Sequence, residues 1–379
     1  MKFHFSRFKR TSSSQSMFDK RNTRATVDMP FLLMVIALSL FCVLMVYNSS
    51  VALAIRDFSD PLYYVKEQIK WLVIGFISLY ICSRVRYTFW REVAVPILIG
   101  TLVLLFAVFL PGIGVSALGA RRWISLGFTV FQPAELAKLS LIFYLSAWFT
   151  SRENGRLSSF LTLLCLVVGL VVLEPDLGTA MIITSVGVFM YFLSGSPLRH
   201  FAILVPILVA VVLLLAVISP YRFARLTSFL HPEKDPLGSS YQMRQSLIAF
   251  GSGGLTGIGL GKSRQKYEYL PEANTDAIFA IIGEELGFIG TASVVGMYLL
   301  ILWRAFAIAR NAPESFGRLV ALGISSWIGI QSSLNFSALV ALVPLTGIPL
   351  PLVSYGGSSL IVLLSGIGIL LNISRYRKI

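Results

Sequence analysis

The chain is short of charge. Only 13% of its 379 residues are Asp, Glu, Lys or Arg, and 56% are hydrophobic, whereas soluble chains carry about 25% charge. Mean hydropathy is +0.78. That excludes an ordinary soluble globule, and with it disordered, coiled-coil and collagen-like chains. Cysteine is scarce too: Cys42, Cys82 and Cys165 all sit in apolar runs, where thiols act as small hydrophobes. Neither a disulfide framework nor Cys/His zinc spacing exists. The little charge there is runs basic, at net +14. Its positions point to a membrane and not to nucleic acid.

What the chain has instead is long apolar runs. A bilayer core of about 30 Å needs roughly 20 apolar residues in a helix. Runs near that length occupy 30–47, 93–110, 157–173, 177–195, 201–218, 286–303, 319–343 and 357–373, and weaker ones 69–83 and 134–150. The first is longer than a signal-peptide core and has no small-residue cleavage site, so it reads as retained. The pattern predicts an all-α polytopic membrane protein: a basic tail over 1–28, ten transmembrane helices within 29–373, and a short C-terminus over 374–379. With the N-terminus inside, 19 of the 32 Lys and Arg fall on cytoplasmic segments, as the positive-inside rule requires. Both termini are therefore expected in the cytoplasm. The tail reads as an orientation signal near anionic lipid, with docking of a cytoplasmic partner as the alternative. No internal repeat is visible.

The costly polar features collect on the outer side. The longest connection, 219–275, separates the seventh and eighth spans, and loops of that length are often functional. Within it, 239–250 places Met243, Leu247 and Phe250 on one helical face, which predicts a short interfacial helix. A glycine-rich stretch, 251–261, follows, and then Lys262, Arg264 and Lys266. It is not a nucleotide P-loop, because Thr256 stands where that pattern needs glycine. Two readings stay open: packed backbone under a surface cap, or a backbone and Lys/Arg cradle for a lipid-borne phosphate.

Asp276 stands at the mouth of the eighth span. Asn274 or Thr275 could cap that helix, with Asp276 complementing its dipole. Alternatively Asp276 is a partly desolvated carboxylate with a chemical role. Glu284 lies eight residues further, about 12 Å along a helix, too far to share a proton with it. Pro133 opens the fourth span, where Glu135 and Lys138 share a face and can pair. Arg121 and Arg122, beside Trp123, suit phosphate oxygens or simple snorkelling. Glu174 and Asp176 form an acidic turn, for which metal binding is the lesser alternative. The segment 344–359, with three prolines and three glycines, cannot be a regular helix and reads as a cavity-lining or re-entrant segment.

These motifs resemble the SEDS family (shape, elongation, division and sporulation), whose members polymerise peptidoglycan glycan strands. The resemblance spans the chain and rests on GARRWI at 119–124, FQPAELAKL at 131–139, EPDLGTA at 174–180, YQMRQSLIAF at 241–250, YLPEANTDAIFAIIGEELG at 269–287 and the 344–359 segment. The wording is closest to the division branch, then the elongation branch. Ala134, Ala277 and Ala341 depart from residues common in the family. The resemblance implies that Asp276 is the catalytic base and that Glu135, Lys138, Glu174, Asp176 and Glu284 shape the cavity. Arg121, Arg122, Lys262 and Arg264 are candidates for the substrate pyrophosphate. It implies lipid II as substrate, an inner-membrane enzyme working on the extracytoplasmic face at the septum, and partners in a class B penicillin-binding protein and other divisome proteins. A divalent cation, magnesium or manganese, could assist through ligands not assigned; no organic cofactor is implied. Two rivals share this inventory: a lipid II flippase, and a noncatalytic scaffold that recruits a transpeptidase. A transporter should carry charge near the bilayer midplane, whereas here it clusters at the outer boundary.

Overall fold

The structure, a computed structural model, describes residues 26–376 apart from 118–119, 126, 128, 152–156, 219, 232, 234, 236–237, 239 and 268. Most of the predicted basic tail, Arg152, Arg156 and the last three residues lie outside the described residues. Thirteen helices and three short strands are described. The helices are α1 (Met29–Phe58), α2 (Tyr63–Arg84), α3 (Phe89–Glu92), α4 (Ala94–Ala107), α5 (Pro133–Thr150), α6 (Leu157–Leu173) and α7 (Leu177–Leu193). They continue as α8 (Leu198–Ile218), α9 (Pro220–Leu230), α10 (Tyr241–Gly253), α11 (Ile278–Arg310), α12 (Ser315–Leu339) and α13 (Gly357–Ser374).

Each of the ten apolar runs overlaps one helix. Among the described residues, five helices are long and apolar enough to cross a membrane (α1, α8, α11, α12 and α13), and α4, α6 and α7 are shorter apolar helices. The protein is a membrane protein. Its outward surface carries Leu40, Val103, Leu173, Leu214 and Trp303, each about 60% exposed or more, a distribution stable only against lipid. The helix starts follow local chemistry. Asp28 caps α1 by accepting from the Phe31 N–H at 3.1 Å, with Pro30 in the first turn. Asp176 caps α7 in the same way through Thr179.

Among the five long apolar helices, α12 and α13 are the most buried. α13 packs mainly along α2, and α12 packs on α11, α5 and α7. α8 is the most peripheral of the long helices.

The structure departs from the sequence reading at four places. The chain is not all-α: β1 (Gly114–Ala117), β2 (Ala120–Ser125) and β3 (Val130–Phe131) form an antiparallel sheet in that order. The residues carrying Arg121 and Arg122 pair strand to strand, in a run too short and too polar to form a spanning helix. The long connection holds two helices, α9 as well as the expected one. In α10 the buried positions are Met243, Ser246, Ala249 and Gly253, and Leu247 is 43% exposed. Small residues let α10 lie close on α11, so size outranked hydrophobicity in choosing the inner face. Lastly, neither Asn274 nor Thr275 caps α11. Its N-cap position is Ala277 with no side-chain cap bond, while Thr275 Oγ1 donates to Glu272 Oε2 at 2.6 Å. Asp276 is thus neither a cap nor a first-turn residue.

Candidate active site

Asp276 closes the non-helical stretch before α11 and meets the non-helical segment between α12 and α13. The Asn335 side-chain amide of α12 donates to the Asp276 carbonyl and to the Ile348 carbonyl, each at 2.8 Å. Ser354 Oγ donates to the Thr275 carbonyl, and the Tyr355 N–H to the Asn274 carbonyl at 2.9 Å. The backbone on both sides of Asp276 is therefore clamped to the proline-rich segment. Its carboxylate receives the Gln242 amide of α10 at 3.3 and 3.4 Å. Burial first, and then the nearby Glu272 charge, push this carboxyl up to about 7, against opposing pulls from Arg225 and Gln242. A carboxyl poised there exchanges protons near neutral pH, as a general base must.

A cavity of about 250 Å³ shares Gln242 with this carboxylate and is lined by α9, α10, Pro271 and Leu345. Arg225 of α9 lines it and donates to the Leu345 carbonyl at 3.1 Å. Gly347 explains how cation and carboxylate face one space. A Cβ on it would lie 3.8 Å from Arg225 Nη1 and 3.8 Å from Asp276 Oδ2, and its φ of +67° disfavours any side chain.

Beneath the segment lies the expected Glu135–Lys138 pair. Both side chains are almost wholly buried, with Nζ 2.9 Å from Glu135 Oε1. Lys138 also donates to Gln331 Oε1 at 3.1 Å, which receives Trp327 Nε1 at 2.7 Å, and Gln331 Nε2 donates to the Pro349 carbonyl at 2.9 Å. Gln331 and Asn335, one helical turn apart on α12, thus connect the buried ion pair to the segment that holds Asp276.

The acidic turn stands nearby. Asp176 Oδ2 accepts from Gln132 at 3.0 Å while its other oxygen caps α7. Glu174 is fully buried, with neither carboxylate oxygen hydrogen-bonded. Burial and Asp176 push it up to about 8, with Arg122 opposing. Arg122 donates to the Glu174 and Pro175 carbonyls at 3.3 and 2.6 Å, so it straps the hairpin to the turn. Arg121 is exposed on β2.

Glu284, expected to shape the cavity, works instead with its neighbour Glu285 on a loop. Glu284 accepts from Ser263 Oγ and from the backbone N–H groups of Arg264 and Gln265; Glu285 accepts from Asn48, Lys266 and the Ser263 N–H. Together they anchor the 257–270 loop to α11 and α1. Here α11 is broken at Gly287 (φ 66°, ψ −163°). The freed backbone groups pair with the glycine-rich stretch: Ile258 and Gly259 N–H donate to the Glu284 and Glu285 carbonyls, and Phe288 and Ile289 N–H donate to the Gly254 and Leu255 carbonyls. The glycine-rich run is therefore packed backbone. Lys262 and Arg264 point outward, exposed.

Arg225, Gln331, Asn335 and Glu285 took no part in the sequence reading of the site. Gln331 and Asn335 did carry a signal, since two amides four residues apart within an apolar span lie on one face. Arg225 carried none, being one of seven basic residues in a loop exempt from the charge rule. Among the described residues, no group of three or more His, Cys, Asp or Glu side chains is gathered that could hold a metal ion.

The sequence profile described as Cell cycle protein (FtsW, RodA and SpoVE) matches residues 29–379. The chain belongs to this family. A probable peptidoglycan glycosyltransferase FtsW from Geobacter sulfurreducens is 42% identical over 358 residues, covering 93% of this chain and 96% of the relative. Stage V sporulation protein E of Bacillus subtilis is 41% identical over 356 residues, covering 92% and 97%. Among solved structures, the rod shape determining protein RodA of Thermus thermophilus superposes with a TM-score of 0.68 at 31% identity, covering 93% of this chain and 97% of that one. A chain of a peptidoglycan synthase complex, described as coordinating polymerization and crosslinking, gives 0.75 at 30% identity, covering 93% and 99%. The FtsW/RodA/SpoVE assignment agrees with the motif resemblance along the whole described membrane domain.

Proposed function

We propose that this FtsW/RodA/SpoVE chain polymerises lipid II into β-1,4-linked glycan strands on the outer face of the bacterial cytoplasmic membrane. The reading includes ten spans, both termini inside, and service at the division septum beside a class B penicillin-binding protein and other divisome proteins. As a peptidoglycan glycosyltransferase, the chain must move one proton and neutralise one leaving group. A sugar 4-hydroxyl attacks an anomeric carbon bearing diphosphate, and configuration inverts in one displacement. The hydroxyl proton goes to a base. The leaving diphosphate is stable as an anion and needs cationic stabilisation, not an acid, so the two-carboxylate arrangement of glycoside hydrolases is not required.

One observation carries the reading: a half-buried carboxylate, Asp276, held by its backbone on two sides and poised near neutral pH beside a cavity that Arg225 lines. A divalent cation, magnesium or manganese, held by the substrate diphosphate and one or two side chains, would neutralise the same leaving-group charge. The motif wording supports division, and the FtsW relative is in keeping with it. A sporulation relative of nearly equal identity makes the stage of growth a point to test in cells by depletion.

The test is polymerisation of labelled lipid II by the purified chain with its transpeptidase partner, comparing wild type with Asp276→Ala and Asp276→Asn. Polymer from wild type alone is expected. Equal polymer from all three would remove Asp276 as the base. No polymer anywhere, with both variants still supporting growth, would turn the assignment toward a flippase or scaffold.

A further inference from the structure

The proposed reaction expels a diphosphate, yet none of the cations expected to receive it lines the cavity beside Asp276. Arg122 straps two backbone carbonyls, Lys138 and Lys266 are buried in ion pairs, and Arg121, Lys262 and Arg264 are exposed. Arg225, by contrast, is placed at the cavity. It is half-buried on α9, it lines the cavity, and its bond to the Leu345 carbonyl orients the guanidinium. It also faces the Asp276 carboxylate across the space that Gly347 leaves open. The cavity, at about 250 Å³, is below the roughly 300–1,000 Å³ that drug-sized ligands occupy. It suits a diphosphate and not a disaccharide-pentapeptide.

We propose that Arg225 is a catalytic residue of this site, receiving the diphosphate leaving group in the cavity between α9 and α10. Ser228, Tyr241 and Gln242, which line the same cavity, supply further hydrogen-bonding groups. The proposal rests on the glycosyl-transfer reading. As the bond from acceptor oxygen to anomeric carbon forms, the bond from that carbon to the phosphate oxygen breaks. Its electron pair leaves with the diphosphate, and the acceptor proton passes to Asp276. A planar guanidinium matches phosphate oxygens two at a time, which an ammonium cannot do.

The experiment uses the purified chain with its transpeptidase partner, as wild type, Arg225→Gln and Arg225→Lys. It measures lipid II polymerisation, and separately the binding of undecaprenyl diphosphate and undecaprenyl monophosphate, which share a tail and differ by one phosphate. Arg225→Gln should slow polymerisation by about 10²-fold or more. It should weaken diphosphate binding by about tenfold or more while leaving monophosphate binding little changed, with Arg225→Lys in between. Diphosphate binding equal to wild type, or equal loss for both lipids, overturns the assignment. If Arg225→Gln does not purify folded, Arg225→Lys keeps a donor for Leu345 and decides by the same ratio. Wild-type polymerisation by Arg225→Gln would sink Arg225 and leave the glycosyltransferase reading standing. Arg225-dependent diphosphate binding by a chain that makes no polymer would do the reverse.

Discussion

Asn335 holds the Asp276 carbonyl and the Ile348 carbonyl with one side-chain amide, both at 2.8 Å. The base of the proposed reaction is thereby fixed through its backbone to a segment 72 residues later in the chain, leaving the carboxylate free to face the cavity. Removing the amide orphans two carbonyls. Asn335→Ala should cost about 2–3 kcal/mol of stability and lower the turnover number more than the Michaelis constant rises, because the base loses its aim. Asn335→Asp should be no rescue, since an ionised carboxylate offers acceptors to two acceptors. Steady-state polymerisation kinetics with thermal unfolding in detergent check both. A normal turnover number for Asn335→Ala would end the positioning role.

The Asp276 carboxyl titrates at about 7 in the folded chain, against about 4 in an unfolded one. A raised carboxyl contributes stability in its neutral form. That contribution is complete below pH of about 4 and is lost as pH rises through about 7, while activity needs the ionised form and rises over the same limb. Glu174, pushed to about 8, adds to the same stability trend. Asp276→Asn should therefore be inactive yet more heat-stable than wild type at pH 8, with the advantage shrinking toward pH 5. Melting temperatures across that range decide it; no gain at pH 8 contradicts the assignment.

Glu135 and Lys138 are both buried and paired. Lys138→Met leaves a carboxylate uncompensated and should cost about 3–5 kcal/mol, whereas Glu135→Leu combined with Lys138→Met should recover most of it. Polymerisation should stay low in the double variant, because Gln331 loses the ammonium that orients it toward Pro349. Denaturant unfolding and lipid II turnover on wild type, the single variant and the double variant separate the structural effect from the positioning one.

At Gly287 a Cβ would lie 2.3 Å from the Gly257 nitrogen, with φ already at +66°. Gly287→Ala should push the 254–270 loop off α11, at a cost of at least about 2 kcal/mol, and expose that loop to protease. Gly296→Ala on the same helix meets nothing within 4 Å and should be neutral or slightly stabilising. Limited proteolysis of the two variants side by side reads this directly.

The linear chain determined where the helices are and that they belong in a membrane, because a spanning segment announces itself by length and hydropathy in its own residues. It also marked Asp276, Glu135, Lys138 and Asp176, since isolated charges next to apolar runs are costly and stand out. Only the tertiary structure decided what those residues do. Asp276 could have been a first-turn residue complementing a helix dipole until the helix was seen to start beyond it. The glycine-rich stretch could have cradled phosphate until its backbone was found paired with a broken α11. Glu284 looked like a cavity residue and proved to anchor a loop, and Arg122 looked like a phosphate ligand and proved to hold a turn. Arg225 left no mark in the linear chain, and Asn335 only its spacing from Gln331. Their importance comes from partners 120 and 59 positions away, and hydrogen bonds across such separations depend on how the helices pack, which no local pattern of residues encodes.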